Sequence, residues 1–274
     1  MANKNLIIGA ISGDIIGSVF EWHNIKSVDF KLFCRKSRFT DDSVLTLATM
    51  YALTNDADYT QAYHTFGRKF PNAGYGHSFR LWLSSDNPKP YNSWGNGSAM
   101  RVSPIGWFYD SIDDTLLEAK KSAEVTHNHP EGIKGAQAAA AAIFLARNGK
   151  SKDDIKNFII EKFGYNLTRK IDDIRPGYKF DVSCQGSVPE AIIAFLESTD
   201  YENAIRLAVS IGGDSDTIAC ITGGIAEAFY RNIPDEIIDN VLKLLPGELI
   251  KIIEEFSNKC RPVSPVYRAM SNKN

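Results

Sequence analysis

Two short acidic stretches hold the residue types in this chain best suited to chemistry. Residues 212–217 (GGDSDT) place two carboxylates two positions apart behind a glycine pair, and an apolar run follows to residue 230. Residues 40–43 (TDDS) repeat the arrangement ahead of the apolar run 44–53. Carboxylate and hydroxyl oxygens are the ligands that Mg²⁺ and Mn²⁺ prefer. Both stretches are therefore candidate metal sites.

The same positions also suit helix caps. An aspartate at the start of a helix accepts hydrogen bonds from unpaired backbone N–H groups and complements the helix dipole. Each acidic stretch lies at the predicted start of an apolar helix. The spacing within either stretch leaves the capping and metal-binding interpretations both open.

A stripe of small residues precedes these stretches. Gly9, Gly13 and Gly17 recur every four positions, which lines them along one face of a predicted helix and lets another backbone approach closely. Glu21 is the next position of the stripe. A carboxylate at the end of a buried face is costly unless it is paired or binds a cation. An exposed glutamate at a helix end is the alternative, and spacing does not decide between them.

A loop rich in Pro, Asn and Gly covers residues 86–97 and holds Tyr91 and Trp94. The peptide groups of residues 95–98 can approach an anion, as backbone nests do for phosphates, and Arg101 follows. Packing of the aromatic rings under the loop is the commoner arrangement.

Two histidines, His127 and His129, form a His-x-His pair of the kind found in zinc sites. No third or fourth ligand lies nearby in the sequence. A polar connection in which Pro130 starts the next helix is therefore favoured over zinc.

Composition excludes several function classes. The 274 residues are 43% hydrophobic, enough for a core, and 31 Lys+Arg against 33 Asp+Glu give a net charge of −2, so no overall basic field attracts nucleic acid or an anionic membrane. The apolar run 6–22 is interrupted by Asp14 and carries Glu21 near its end, which argues against a signal peptide or membrane span. Four widely spaced cysteines without a CxxC motif indicate reduced thiols in a cytoplasmic protein.

Helical periodicity dominates the chain, and strand signals are scarce. We predict a single, mainly helical domain over residues 1–274. Its helices are predicted at residues 43–53, 58–70, 77–84, 114–125, 135–146, 151–163, 187–198, 200–211, 218–230, 234–245 and 248–258. The 187–198 helix is predicted to start at a capping box with a proline in its first turn. Residues 165–186 are irregular and carry no motif.

If Glu21, Asp41, Asp42, Asp214 and Asp216 meet in one pocket, their charges repel, and the groups hold protons unless cations neutralise them. One divalent ion leaves excess negative charge. Two divalent cations are therefore the better match.

The ordered motifs resemble the ADP-ribosylglycohydrolase family, which includes the dinitrogenase-reductase-activating glycohydrolases. The matching blocks are residues 9–17 with Glu21, 40–43, 95–101, 126–127 and 212–217. Each block is moderately specific, and five in the family's order are highly specific. The chain departs from the pattern in two places: Ser43 stands where many relatives carry Thr, and Trp94 occupies a variable position.

The resemblance implies an all-α, orthogonal helical domain with a binuclear Mg²⁺ or Mn²⁺ centre. The enzyme would cleave the glycosidic bond between ADP-ribose and an acceptor, with arginine on a protein as the expected acceptor. By matching position, the metal ligands would be Thr40, Asp41, Asp42, Asp214, Asp216 and Thr217. The catalytic residues would be Glu21, Asp41 and Asp214. The ADP-ribose would be bound by Tyr75, Gly76, Ser93, Trp94, Gly95, Asn96, Gly97, Ser98 and His127, with Trp94 stacked on its distal part.

The resemblance leaves the acceptor open. An ADP-ribosylated protein or a small-molecule conjugate is the expected partner, nucleic-acid-linked ADP-ribose is a further candidate, and a monomer without membrane association is expected. Two other functions compete. One is an ADP-ribose-binding module without turnover, against which the intact acidic residues argue; the other is a metal-dependent phosphohydrolase acting on nucleotide diphosphates.

Overall fold

The computed structural model describes residues 6–260, which fold into helices joined by turns and loops. The first seven helices are α1 (Gly9–Gly17), α2 (Asp41–Asn55), α3 (Tyr59–Lys69), α4 (His77–Ser84), α5 (Ser103–Phe108), α6 (Ile112–Glu124) and α7 (Pro130–Arg147). The others are α8 (Lys152–Phe163), α9 (Ile171–Ile174), α10 (Cys184–Glu197), α11 (Tyr201–Ile211), α12 (Ser215–Tyr230), α13 (Asp235–Leu244) and α14 (Gly247–Lys259). The described residues contain no strand beyond one isolated bridge between Gly95 and Ser183. The predicted all-α fold is confirmed.

Helix α12 is the centre of the molecule. Its residues 215–228 are buried, and it packs against α1, α7, α10 and α11. Every residue of α1 is buried as well. One apolar cluster, to which every helix contributes, runs through the described residues. Because the acidic residues of α12 lie at its first turn, this central position places them inside the molecule.

The glycine stripe explains why α1 and α12 lie so close together. A Cβ at Gly13 would lie 2.0 Å from the Ala219 carbonyl oxygen, and one at Gly17 would lie 2.5 Å from that of Ser215. The predicted close backbone approach is thus present. Helix α1 ends at Gly17, however, so Glu21 lies in the turn beyond it rather than on the helical stripe.

A buried glutamate of α12 fixes the other end of α1. The Glu227 carboxylate accepts hydrogen bonds from the backbone N–H groups of Ile8 and Gly9, each at 2.9 Å. This long-range cap pairs backbone N–H groups at the start of α1, which has no capping side chain of its own. Helix α1 is therefore held at its start by a carboxylate and along its length by glycine packing.

Most of the predicted helix starts are confirmed. Asp58, Ser151 and Asp200 cap α3, α8 and α11, and Pro130 occupies the first turn of α7. Helices α5 and α9 were not predicted, because neither is long enough to show a helical period.

The predicted start of the 187–198 helix is wrong. Helix α10 begins at Cys184 with Ser183 as its cap, and Pro189 lies inside the helix. The Ser187 hydroxyl donates instead to the Asp181 carbonyl oxygen at 2.9 Å and accepts a hydrogen bond from the Asn96 amide at 3.0 Å. The Ser187 hydroxyl, which was expected to cap the helix, thus connects α10 to the loop before α5.

The helices within residues 6–260 are all too short or too polar to cross a bilayer. The four cysteines are free thiols.

Candidate metal centre and substrate cleft

A cleft of about 470 Å³ opens where the starts of α2 and α12 face the loop before α5. Carboxylates of Glu21, Asp41, Asp42, Asp214 and Asp216 line one end. The other end is lined by Ser93, residues 95–97 and His127. We call the first set the carboxylate cluster and residues 95–98 the glycine loop.

Two groups of three carboxylates in this region are close enough to share metal ions. Oxygens of Asp14, Asp42 and Asp216 lie within 4.8 Å of one another, and so do oxygens of Glu21, Asp214 and Asp216. Asp216 belongs to both groups. Asp41 borders the cleft but belongs to neither group.

The hydrogen bonds separate the capping from the ligand interpretation. In α2 the cap is Thr40, whose hydroxyl accepts from the Asp42 N–H, so the carboxylates of this turn are not the cap. Asp214 stands at the N-cap position of α12 but makes no side-chain capping bond. Its carboxylate instead accepts from the Asn96 amide at 2.7 Å. Asp42 and Asp214, which look like helix caps in the sequence, thus line the cleft with their carboxylates.

Asp14 is a member of this region that sequence reasoning missed. It is fully buried and accepts hydrogen bonds from the backbone and hydroxyl groups of both Thr40 and Ser43. With its oxygens so occupied, Asp14 positions the start of α2 against α1. The signal was present in the sequence as a single charge inside an apolar, glycine-lined helix.

Burial and mutual repulsion make the cluster hold protons. Burial, followed by the charge of Asp214, raises the pKa of Glu21 to about 7. Burial, followed by the charge of Asp14, raises the pKa of Asp41 to about 8 and that of Asp42 well above its usual range. The pKa values of Asp214 and Asp216 are also raised, chiefly by burial. A bound cation would reverse this preference for the protonated form.

The residues present fit a hard divalent cation. The donors are oxygens, and within residues 6–260 no histidine or cysteine joins a group of this kind. The buried Oδ1 atom of Asp42 has no hydrogen-bond partner in the described part of the chain. A buried carboxylate oxygen without a partner is costly, and a cation would satisfy it. Thr217 stands in the first turn of α12, and its hydroxyl is among the groups that lower the pKa of Asp42.

The glycine loop is fixed by hydrogen bonds to the segment before α10. The Asn96 N–H donates to the Val182 carbonyl at 2.7 Å, and the Gly95 N–H donates to the Ser93 hydroxyl at 3.1 Å. The Asn96 side chain reaches across to Asp214, as described above. Since the amides of Gly95 and Asn96 have protein acceptors, only those of Gly97 and Ser98 remain as candidates for an anion at this loop.

A relay of side chains orients His127 beneath the loop. The Arg101 guanidinium donates to the Thr126 hydroxyl at 2.8 Å, and that hydroxyl lies 2.7 Å from Nδ1 of His127. A Thr126 hydroxyl that accepts from Arg101 can donate its own proton to Nδ1, and in that arrangement the imidazole proton is on Nε2. Burial, followed by the Arg101 charge, lowers the pKa of His127 well below its usual value. His127 is therefore a neutral donor.

Nε2 of His127 faces the glycine loop. A Cβ placed on Gly97 would lie only 3.1 Å from it. Arg101 itself is buried, stacks on the Tyr63 ring at 4.1 Å, and leaves Nε and Nη1 without partners in the described residues. The loop end of the cleft is thus electropositive.

The structure brings most of the expected substrate-binding residues to the cleft. Tyr75, Gly76 and Ser93 line it, and the buried Tyr75 hydroxyl has no partner among the described residues. Two expected residues do not line it. Ser98 is buried and donates to the Gly132 carbonyl at 2.7 Å, whereas the Trp94 ring is 49% exposed to solvent. Thr40 also lies behind the cleft wall, because its hydroxyl donates to Asp14.

Two aromatic residues at the mouth of the cleft were missed by sequence reasoning. Trp22 and Phe180 both line it and stack on each other with ring centroids 5.1 Å apart. They are separated by more than 150 positions in the chain, and Phe180 lies in the stretch for which no motif was found. Neither residue gave a sequence signal.

Comparison with known proteins gives a consistent answer. A family model described as ADP-ribosylglycohydrolase matches residues 4–265. A solved structure titled "ADP-ribosylglycohydrolase-related protein complex" superposes with a TM-score of 0.67 and 21% identity, covering 95% of this chain and 99% of that one. At that identity the likeness shows the fold.

Curated relatives are similar over most of their length. An ADP-ribosylhydrolase ARH3 of Xenopus tropicalis is 27% identical, with 83% of this chain and 86% of the relative covered. An ADP-ribosylarginine hydrolase Tri1 of Pseudomonas putida is 26% identical, with 87% of this chain and 73% of the relative covered. The five sequence motifs and the cleft that they line thus coincide with one known family.

Proposed function

The chain belongs to the ADP-ribosylglycohydrolase family of hydrolytic enzymes, and on that premise we propose that it releases ADP-ribose from arginine on protein, using two divalent cations. The observation that carries the proposal is the sharing of Asp216 by two overlapping carboxylate groups. A carboxylate shared in this way suits a pair of metal ions that hold one substrate between them.

The proposed cations are Mg²⁺ or Mn²⁺. Asp42, Asp214, Asp216 and Thr217 would hold them, with Asp41 and Thr40 as the further ligands that the motif resemblance implies. When bound, the cations would neutralise the cluster and bind the ribose hydroxyls of the substrate. The pairs Asp41–Asp42 and Asp214–Asp216 would thus act as the two halves of one site.

Glu21 has the properties of a general base at this end of the cleft. Its carboxylate is half-buried and borders the cleft beside Asp214 and Asp216. Bound cations would favour its ionised form, which can accept a proton. We expect it to take a proton from the attacking water as the bond to the anomeric carbon breaks. The acceptor leaves with the bonding electron pair and takes up the proton that Glu21 removed from the water. The surrounding carboxylates, Asp41 and Asp214 among them, favour the positive charge that develops on the ribose.

The opposite end would bind the diphosphate. The Gly97 amide and the His127 imidazole would be neutral donors to it, and the buried Arg101 charge adds a favourable field. Tyr75 offers a further buried hydroxyl. With the ribose at the carboxylates and the diphosphate at the loop, the scissile bond lies beside Glu21.

Arginine as the acceptor is supported by one relative, whose name specifies ADP-ribosylarginine. The names of the ARH3 relatives specify no acceptor. Serine-linked, nucleic-acid-linked and small-molecule conjugates of ADP-ribose are therefore included in the test.

The test is an analysis of products from arginine-, serine- and nucleotide-linked ADP-ribose in the presence of Mg²⁺, Mn²⁺ or a chelator. The proposal requires free ADP-ribose from the arginine substrate and loss of turnover in chelator. AMP with ribose phosphate would instead identify a phosphohydrolase. Tight binding of ADP-ribose without any product would identify a binding module.

Three further properties form part of the proposal. The continuous core supports a single domain over residues 1–274, and four free thiols suit a reducing compartment such as the cytoplasm. We also propose a monomer, which light scattering of the purified chain would test.

A further inference from the structure

The stacked rings of Trp22 and Phe180 form a surface at the mouth of the cleft whose role is so far unassigned. Their centroids are 5.1 Å apart and their planes differ by 21°. Despite this contact, Trp22 is 71% exposed and Phe180 is 43% exposed. We call this pair the aromatic platform.

The exposure of the platform differs from that of the other rings around the cleft. Tyr75 and Phe79, which also line it, are buried. Large aromatic side chains gain free energy when they are covered, so an exposed pair that borders a cleft is typical of a ligand-binding surface.

The platform is held by polar contacts on both sides. The Asn24 side chain bonds to the N–H and the carbonyl of Gly213 at 2.8 and 2.9 Å. The Lys26 ammonium donates to the carbonyls of Tyr178, at 2.8 Å, and of Ile211. These bonds tie the turn that carries Trp22 to the segment that carries Phe180 and to the glycine turn before α12. The two rings therefore keep a fixed position.

That position is at the reacting end of the cleft. Trp22 follows Glu21 directly, and a hydrogen bond from Trp22 is among the interactions that lower the pKa of the Glu21 carboxyl group. The segment that carries Phe180 also approaches the start of α12. A Cβ at Gly213, the residue before Asp214, would lie 3.0 Å from the carbonyl oxygen of Lys179, the residue before Phe180. The platform thus lies beside Glu21 and close to Asp214.

The two exposed rings offer an aromatic face to a planar group. The Lys26 ammonium nearby is directed at two carbonyl oxygens. A planar cation gains free energy when it stacks on an aromatic face.

We propose that Trp22 and Phe180 bind the acceptor, by stacking on the guanidinium of the ADP-ribosylated arginine. This inference rests on the proposed hydrolysis of ADP-ribose conjugates and names the residues that select the acceptor. A serine acceptor has no face to stack, so the platform gives it no advantage.

The test compares Trp22→Ala and Phe180→Ala with the conservative Trp22→Phe and with the control Leu117→Ala. Leu117 is 50% exposed on α6 and does not line the cleft. For both alanine variants we expect kcat/KM on arginine-linked ADP-ribose to fall about 10-fold while the affinity for free ADP-ribose stays within twofold. For Phe180→Ala, kcat/KM on serine-linked ADP-ribose should also stay within twofold. Trp22→Ala is compared with Trp22→Phe, because both variants lose the indole N–H that bonds to Glu21. Trp22→Phe should retain most of the activity, and Leu117→Ala all of it.

Two outcomes would overturn the proposed role of the aromatic platform. Unchanged selectivity would show that the rings do not contact the acceptor. An equal loss of affinity for free ADP-ribose would show that they bind the adenine.

A second measurement keeps the platform testable if the wild-type enzyme does not cleave the arginine substrate. Agmatine, a guanidinium compound, is titrated into the protein with Mn²⁺ and ADP-ribose bound, with 1,4-diaminobutane as the matched amine. Saturable quenching of tryptophan fluorescence by agmatine alone, absent in Trp22→Phe, is the expected result. If both compounds act alike, or neither does, the rings do not recognise guanidinium.

Discussion

At one end of the cleft, carboxylates of three separate segments are buried together, and one of their oxygens has no partner. At the other end, Arg101, Thr126 and His127 are bonded to one another and hold a neutral imidazole beside a glycine loop. Burial raises the pKa of the acids and lowers that of the histidine. Burial thus favours the neutral form of the acids at one end and of His127 at the other. The two ends are suited to ligands of different charge. The carboxylates suit cations, and the loop suits an anion.

The largest expected effect comes from Asp216→Asn, which removes the carboxylate shared by both groups. We expect ADP-ribose release to fall by about 10³-fold or more and Mn²⁺ affinity to drop sharply, since cation charge stabilisation is worth several kcal/mol. ADP-ribose affinity measured in chelator should change little.

The matched control for this variant is Asp239→Asn, an exposed acid on α13. In the metal-free state Asp216→Asn should melt at or above the wild-type temperature, because it relieves repulsion between carboxylates. A lower melting temperature together with lost turnover would indicate misfolding and would remove the support for a shared ligand.

The second prediction concerns the stability of the metal-free protein between pH 6.5 and 8. Glu21 and Asp41 have folded-state pKa values of about 7 and about 8, above their ordinary values of 4.5 and 3.8. A carboxyl group with a higher pKa in the folded state contributes its full stabilisation when the pH is below its unfolded-state pKa. That contribution is lost as the pH rises through the folded-state pKa. We therefore expect Tm to fall by about 5 °C across this window.

Two comparisons isolate the cluster in that experiment. Addition of Mn²⁺ should remove most of the decline, and Asp216→Asn should reduce it. Glu227, whose pKa burial also raises to about 7, contributes in the same direction and leaves a residual slope. His127 acts oppositely, since its lowered pKa costs stability only below about pH 6.5, and so does not affect this window. A Tm that is constant or rises from pH 6.5 to 8 would contradict the raised carboxyl pKa values.

The third prediction concerns the loop end. Gly97→Ala places a Cβ 3.1 Å from Nε2 of His127, so one of the two must shift. We expect ADP-ribose affinity to fall about 10-fold, as for the loss of one or two hydrogen bonds to a charged ligand, while Mn²⁺ affinity stays unchanged. Gly177→Ala, where a Cβ meets nothing within 4 Å, is the control. Equal effects on metal and nucleotide would mean that the two ends do not act separately.

The smallest expected effect is that of Thr126→Val, which breaks the relay without changing side-chain volume much. The variant loses both the hydrogen bond from Arg101 and the bond to His127, and we expect ADP-ribose binding to weaken about 5-fold through the misplaced imidazole. Nitrogen NMR should show the proton of His127 distributed over both ring nitrogens, where the wild type has it on Nε2. The control is Thr115→Val on α6, which removes a buried hydroxyl that donates to the Ser111 carbonyl oxygen. This variant should leave both measurements unchanged. An unaltered tautomer in Thr126→Val would show that Thr126 does not set it.

The sequence predicted the helices well because their signals are local. Capping residues such as Ser151 and Asp200 act within one turn, and apolar periodicity extends over a dozen residues. The capping box predicted at Ser187 was wrong because a partner 91 positions away, Asn96, uses that hydroxyl. Local patterns cannot reveal such a competitor.

The candidate site was predictable only where its residues form motifs. The acidic stretches at 40–43 and 212–217 could be recognised, but whether Asp214 caps its helix depended on the distant Asn96 amide. Asp14 was visible as an isolated charge. The Trp22–Phe180 pair had no signal, since its meaning depends on two loops that only the folded chain brings together.

The central claim is that ADP-ribose release depends on two cations held by the carboxylate cluster. It is tested most directly by adding Mn²⁺ to chelator-treated protein, counting bound ions by electron paramagnetic resonance and measuring ADP-ribose release from the same samples. The account predicts two bound ions with a spin-coupled signal, activity that appears with them, and loss of both in Asp216→Asn. Full release of ADP-ribose by the chelator-treated protein, or activity unchanged in that variant, would contradict it.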